Sequence, residues 1–342
     1  MQDVNSEKYI SSFKEEYNTV KNGSAVRINS DAVIIQLEGK DTLEFLHRVS
    51  TNSVKDLKPF EKKNTLFLNA KGRFIDRTTL INLENYFLLI GNLDGSKKLF
   101  NWINKYIIME DIKTLDVTNN YKLIELIGPQ SESYLTLLVG DDIKKLGSEN
   151  VISTSADGFS FYLFRNSLLH GKVLFQILIE KERSDEFVEY MLQNKSVFDV
   201  GLISDATYNV VRIETGSAAL PSELNDEYNP HEVNLIHEVC FKKGCYIGQE
   251  VIARLDTYDK VQKKMVGVII HDNINFNGDS VLIDEEENEV GEITSQAFSE
   301  LMGKRIAIGF VRKKILQENR TVFASENGKR VPITICELPF KK

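Results

Sequence analysis

Cysteine, proline and long apolar runs are what this sequence has least of. Its 342 residues include three Cys and six Pro. Three thiols cannot build a disulfide framework, and an odd count in a long chain suits a reducing compartment. Six Pro and 20 Gly exclude a collagen-like or Pro/Gly-rich low-complexity chain. No stretch approaches the roughly 18 uninterrupted apolar residues of a membrane helix, so no membrane association is expected. Positive charge is also short: 42 Lys and Arg against 50 Asp and Glu leave −8 with His neutral. That balance argues against a general nucleic-acid coat, and no direct nucleic-acid partner is expected. The first thirty residues mix Glu, Lys, Asn and Ser without an apolar core, unlike a signal peptide or presequence. The expected address is cytoplasmic.

What is present is the composition of a folded protein, 42% apolar and 27% charged, with length for about two or three domains. Asp41 and Glu44 have the spacing of an N-cap and its reciprocal partner. They predict a short helix that turns Leu43, Leu46 and Val49 inward. Residues 65–68, 78–83 and 86–90 read as strands, the last pair joined by a turn at Glu84-Asn85, where Asn tolerates positive φ. Leu99, Trp102, Ile103 and Tyr106 lie on one face of an amphipathic helix, and core packing explains the stripe. Strands at 121–127, 159–164 and 172–179 and helices after Ser131 and over 185–193 follow. In 172–179, Val173, Phe175, Ile177 and Ile179 are expected to alternate inward. Strands and helices mix without strict βαβ alternation, so the class is α+β rather than a Rossmann sheet.

After about residue 256 the texture changes. Six short strands (265–270, 280–284, 290–294, 305–311, 321–324 and 332–336) with hardly any helix predict a small β-barrel or sandwich. The expected division is residues 1–255, two α+β subdomains, and residues 256–342, the barrel. The acidic run Asp284-Glu285-Glu286-Glu287 reads as a solvated hairpin tip that opposes edge pairing.

One segment stands out chemically, residues 241–250, where two glycines flank Cys245-Tyr246 and permit sharp turns. A helical run from Gln249 would place Cys245 just ahead of a helix N-terminus, with Lys242 and Lys243 near. Dipole and ammonium groups both favour thiolate, while a partly buried structural Cys is the plain alternative. His237, Cys240 and Cys245 have no standard zinc spacing, and three thiols fall short of an iron–sulfur site, so no resident metal is expected. Residues 242–264 carry six basic and three acidic side chains. This local excess is either a solvated surface or a dock for a carboxylate-bearing ligand.

Lys243-Gly244-Cys245-Tyr246-Ile247-Gly248-Gln249-Glu250 resembles the Lys-Gly-Cys-Tyr-x-Gly-Gln-Glu signature of the YgfZ family of folate-binding proteins. These are relatives of GcvT, the aminomethyltransferase of the glycine cleavage system. Residues 68–76, which include Asn69, Gly72 and Asp76, are similar to an early segment of both branches. Arg212-Ile213-Glu214-Thr215-Gly216, with Glu223, Pro230 and Glu232 downstream, is similar to their Arg-x-Glu-x-Gly block. Residues 291–295 and 306–309 resemble their barrel strands. The resemblance implies a GcvT-like ring of three subdomains around a channel that takes tetrahydrofolate, closed by a C-terminal antiparallel β-barrel. It assigns Cys245, Lys243 and Asp76 to chemistry, and Asp76, Arg212, Glu214, Tyr246 and Gln249 to folate. Where transferases carry Tyr-Thr-Gly-Glu-Asp-Gly, with a pterin-binding Glu, this chain reads Ser167-Leu168-Leu169-His170-Gly171-Lys172, with no acid. The function it implies is tetrahydrofolate binding that supports iron–sulfur cluster assembly or repair, including in tRNA-modifying enzymes, with iron–sulfur proteins as clients. The alternatives are a folate-dependent aminomethyltransferase and a non-catalytic folate-sensing scaffold.

Overall fold

The computed structural model describes residues 12–92, 97–272, 280–318, 320–326 and 329–341. Helix α1 (Phe13–Asn22) opens on Ser12, which exchanges hydrogen bonds with Glu15, and it buries Tyr17 and Val20. The chain then enters β1 (Ser24–Asn29) and leaves that sheet at once for another. β2 (Ala32–Glu38), β3 (Lys62–Leu68), β4 (Phe74–Asn82), β5 (Phe87–Asn92) and β6 (Lys113–Asp116) form a five-stranded sheet in the order β3-β4-β5-β2-β6. Helices α2 (Thr42–Val49) and α3 (Lys98–Tyr106) belong to this insertion. β7 (Tyr121–Ile127) returns beside β1. β8 (Val151–Ala156), β9 (Phe159–Asn166), β10 (Leu174–Glu180) and β11 (Val200–Leu202) complete a six-stranded sheet in the order β11-β1-β7-β10-β9-β8. Only its β1–β11 pair is parallel.

The two sheets face each other across Ile34, Ile81, Leu88, Leu123, Phe164 and Leu178. α2 and α3 cover the outer face of one, and α4 (Ser131–Val139) and α5 (Lys181–Gln193) cover that of the other. Sheets buried on both faces read as continuous apolar runs, not as alternation. This corrects the pattern expected for 172–179: Leu174 and Leu178 are as buried as Phe175, Ile177 and Ile179, and Val173 lies exposed before the strand. At the start of α2, Asp41 makes no side-chain cap; its carboxylate accepts instead from the Asp111 N–H at 2.8 Å. In the 84–85 turn the positive φ falls on Glu84, not Asn85.

Beyond α6 (Asp205–Thr215) and α7 (Gln249–Thr257), six strands close an antiparallel barrel: β12 (Lys263–Ile270), β13 (Ser280–Asp284), β14 (Glu289–Ser299), β15 (Lys304–Arg312), β16 (Val322–Glu326) and β17 (Lys329–Cys336). A short α8 (Lys313–Glu318) lies between β15 and β16. Closure removes the sheet edges. Of the acidic run, residues 285–287 are exposed, but Asp284 is buried, and its Oδ1 accepts the Glu286 and Asn288 N–H groups that shape the turn.

Candidate functional site

The structure joins distant sequence motifs through two glycines. Gly248, at φ +84°, precedes α7, and a Cβ there would stand 2.6 Å from the Asn69 carbonyl oxygen. A Cβ on Gly72, at φ +70°, would stand 3.0–3.4 Å from the Val251 and Ile252 side chains of α7. Both conformations disfavour a side chain, and at Gly248 the backbone contact leaves no room for one. The 69–72 turn and the Cys-containing segment therefore dock backbone to backbone.

β4 leaves that turn carrying Asp76 and Arg77. Asp76 is buried, accepting from the Arg77 N–H at 2.7 Å, the Asn92 N–H at 2.9 Å and the Asn92 amide at 2.8 Å. Arg77 turns the other way and forks onto Glu238 at 2.6–3.1 Å. This buried pair stands where two cavities, of about 470 and 590 Å3, meet; both are also lined by Leu168, Ser217 and Ala218. The smaller chamber lies between the sheets and α6, with Arg27, Glu125, Asp205, Tyr208 and Arg212 on its walls. The larger opens toward the barrel, past His170, His237, Lys264 and Met265. Together they form a channel walled by both sheets, α6 and the barrel.

The small chamber is charged but internally paired. Arg27 donates to Glu125 at 2.9 Å and to Asp205 at 2.8 Å, and its guanidinium stacks 3.8 Å from the Tyr208 ring centroid. Burial and Glu125 push the Tyr208 phenol well above its ordinary range. Glu125 also accepts from Gln176, whose carbonyl takes a bond from Asn166, which in turn reaches Thr79 on the other sheet. Arg27, Glu125 and Gln176 share one register across β1, β7 and β10. A polar residue at matched positions inside three mainly apolar strands was the sequence signal for this network, and it was missed. Arg77, Glu238 and Asp205 were missed too.

Of the residues assigned to folate by resemblance, Arg212 alone lines the channel. Its guanidinium meets Asn209 at 2.8 Å, Glu223 at 3.1 Å and Ser295 of the barrel at 2.7 Å. Glu223 in turn accepts from Thr294 and Ser295, each at 2.6 Å. Asp76 lies one hydrogen bond behind the wall formed by Asn92 and Arg77. Glu214 faces away, accepting from Tyr17 of α1 at 2.8 Å and Ser299 of β14 at 2.5 Å. The Gln249 side chain accepts the Tyr246 N–H at 3.3 Å. Residues 167–172, which lack the transferases' acid, do contribute Leu168 and His170 to the channel, whose carboxylates come from elsewhere, among them Glu125 of β7, Asp205 of α6 and Glu337.

Cys245 and Lys243 lie elsewhere. Cys245 is an exposed free thiol just ahead of α7. Lys243 points inward, its ammonium donating to the carbonyl oxygens of His47, Ser50 (2.6 Å) and Asn52 (2.8 Å). It thus caps the C-terminal end of α2, where cations are favoured. Burial brings this amine down to about 8. Tyr246 packs beneath it, its ring centroid 5.3 Å from the ammonium, and burial pushes its phenol up to about 12. Among the described residues no cluster of His, Cys, Asp and Glu could hold a metal ion, and no helix is long and apolar enough to cross a membrane.

Two stacked sheets and a closed antiparallel barrel around a polar channel define a GcvT-like architecture. The chain belongs to the glycine cleavage T-protein family: the GCVT N-terminal domain matches residues 4–243, and the glycine cleavage T-protein C-terminal barrel domain matches residues 263–342. It is 24% identical to an aminomethyltransferase of Staphylococcus carnosus over 329 residues, covering 96% of this chain and 89% of that protein. It is 25% identical to a putative chloroplastic transferase of Arabidopsis thaliana, covering 90% of this chain and 68% of the relative. The crystal structure of the glycine cleavage system aminomethyltransferase T from Bartonella henselae superposes with a TM-score of 0.83 at 20% identity, over 96% of this chain and 89% of that one. That likeness establishes the fold.

Proposed function

We propose that the channel binds tetrahydrofolate and that Cys245, on a separate face, is the thiol through which the protein supports iron–sulfur cluster assembly or repair in client proteins. The chemistry of the channel's donor set carries the folate reading. Lys264 of the larger chamber, which enters no ion pair among the described residues, suits a glutamyl carboxylate, while the guanidinium groups of Arg27, Arg77 and Arg212 line the walls already held by acids. Carboxylates of Asp205 and Glu125 suit the N–H edge of an aminopyrimidine ring. Leu168, Val233 and Met265 offer apolar surface to an aromatic linker. Mixed walls of this kind, apolar with a few convergent polar groups, are typical of small-molecule sites. Bound there, tetrahydrofolate would supply a carrier for a one-carbon unit. The chain's part is to orient it, exclude water and place Asp76 behind Asn92.

The Cys245 reading rests on its exposure and on the octapeptide that resembles the YgfZ signature. Cys245 and the channel walls share no lining residue, so thiol and folate act at separate places. Anaerobic calorimetric titration with tetrahydrofolate tests the first half. One-to-one saturable binding is expected, abolished by Ala218→Trp, which fills the junction of the two chambers while thermal melting reports that the fold persists. No binding heat at several temperatures would refute the folate reading. Iron–sulfur enzyme activity in a deletion strain tests the second half, since Cys245→Ala should fail to restore it.

A folate-dependent aminomethyltransferase is the second reading. It is favoured by the buried Asp76 just behind the channel wall and by the aminomethyltransferases among the relatives. Methylene-tetrahydrofolate formation from an aminomethylated lipoyl carrier would establish it over the first.

A further inference from the structure

The guanidinium groups of the small chamber are committed to acids, but the face of α6 that lines it keeps three polar groups open. Asp205, Tyr208, Asn209 and Arg212 all line that chamber. Their i, i+3, i+4, i+7 spacing puts them in one stripe of the helix, and a stripe turned to the interior is normally apolar. Arg212, at its end, is fully used by Asn209, Ser217, Glu223 and Ser295. The Tyr208 hydroxyl, in contrast, makes no hydrogen bond among the described residues, and it is not sealed from the chamber. Its ring is pinned 3.8 Å from the Arg27 guanidinium, and burial keeps the phenol protonated, so it is a donor held in a fixed place. The charges of Arg27, Arg212 and Arg77 act on that hydroxyl, opposed by Glu125, which favours an oxygen acceptor there over an N–H. Asn209 accepts from the Arg212 Nε–H at 2.8 Å, which assigns its amide and leaves the NH2 without a partner among the described residues. Asp205 gives Oδ1 to Arg27 at 2.8 Å, but its Oδ2 meets only the Ser30 hydroxyl, at 3.5 Å, and 55% of the side chain is exposed. Glu125 is 1% exposed and already accepts from Arg27, Asn29 and Gln176, so Asp205 is the acid with an oxygen to spare. The stripe thus reads acceptor, donor, donor over a helix rise of about 6 Å.

We propose that Asp205 and Tyr208 read the amino-lactam edge of the pterin ring. Asp205 accepts from the 2-amino group and the ring N3–H, and Tyr208, with Asn209 beside it, donates to the 4-oxo oxygen. The proposal rests on the reading of the channel as a tetrahydrofolate site and adds what that site selects, a 2-amino-4-oxo ring over a 2,4-diamino one. In the 4-amino analogue a donor replaces the carbonyl and N3 loses its hydrogen, so Tyr208 and Asn209 face a group that also donates. A site built to hydrogen-bond one group rejects the analogue without it, because its own polar groups are left unpaired.

Anaerobic calorimetry on the full-length protein compares tetrahydrofolate with tetrahydroaminopterin, its 4-amino counterpart with the same tail. The wild type should bind tetrahydrofolate about tenfold more tightly, the worth of one neutral hydrogen bond. Tyr208→Phe keeps the ring on Arg27; it should weaken tetrahydrofolate by about tenfold and leave the analogue within about twofold, so that the preference disappears. A packing role for Tyr208 would weaken both ligands alike. Asp205→Asn should weaken both, since both carry the 2-amino group, and thermal melting reports that each variant is folded. Equal or tighter binding of the analogue by the wild type, a preference that survives Tyr208→Phe, or unchanged affinities in Asp205→Asn overturns the proposal while the folate reading stands. The wild-type comparison decides this even where a variant does not fold. Failure of the wild type to bind either ligand removes the folate reading and this proposal with it.

Discussion

The channel wall and the Cys245 rim use the same kinds of side chain to opposite ends. In the channel each arginine has found an acid, Arg27 with Glu125 and Asp205, Arg77 with Glu238, Arg212 with Glu223, while Lys264 of the larger chamber enters no ion pair among the described residues. Three of those pairs are buried on both sides and extended by amide and hydroxyl groups that bridge sheet to sheet and α6 to barrel. At the rim, among the described residues, one cation, Lys243, has no acid and is spent on backbone carbonyls, while Glu44 and Lys55 enter no ion pair beside an exposed thiol. A ligand that enters the channel meets a rigid, prepaid polar surface, so recognition there needs little reorganisation. The rim holds open valences, which suits a transient encounter. Interior order and exterior availability are separate designs, joined at the Gly72–Gly248 contact and through Thr51, which accepts the Cys240 N–H and donates to the Glu238 carbonyl.

The strongest way to break this comparison is to remove an acid from the channel. Glu125→Leu leaves Arg27 buried with only its outer partners, Asp205 and Asp31, and strands donors on Gln176 and Asn29. Truncating one member of a buried pair costs about 3–5 kcal/mol, because the partner's charge remains desolvated. Urea unfolding should show a loss of that order at unchanged slope. A loss below about 1 kcal/mol, the range of exposed pairs, would mean the channel is solvated like the rim.

Lys243→Met should have the next effect, about 2 kcal/mol, from the loss of charge-assisted hydrogen bonds at the end of α2. Amide exchange in residues 47–52 should quicken, and the Cys245 alkylation rate should change with it. Lys243→Arg, which keeps a donor cation, should restore much of both. If Lys243 acted only as a charge beside the thiol, alkylation would shift while the α2 amides kept their protection.

How much of this was legible in the sequence follows from the same physics. The barrel was the clearest part, because its short strands are separated by turns and alternate across a single core. The stacked sheets were legible as strands but not as faces, since burial on both sides erases the period that identifies an inner face. The β1 excursion, in which one strand leaves its sheet before five strands intervene, has no local signature. The placement of Cys245 before a helix was visible from its neighbours, which do not decide whether the thiol is exposed and reactive or partly buried. The role of Lys243 was not visible, since its partners are carbonyls some 190 residues away. Glu214 illustrates the limit of a motif: the spacing places it on α6 beside Arg212, yet the helix points the two side chains toward different neighbours.

The smallest expected effect sharpens the comparison most. Cys245→Ser removes an exposed sulfur whose neighbours do not depend on it for packing. Stability should change by no more than about 0.5 kcal/mol, as for surface substitutions generally. Tetrahydrofolate binding should be the same within error, because Cys245 lines neither chamber of the channel. Support of iron–sulfur clients should nevertheless be lost, since serine keeps the shape but supplies neither a thiolate nor disulfide exchange at neutral pH. Calorimetry and client rescue on the same preparation separate these outcomes. A fall in folate affinity would show that the rim and the channel are coupled, and the division between a fixed interior and an open exterior would have to be given up.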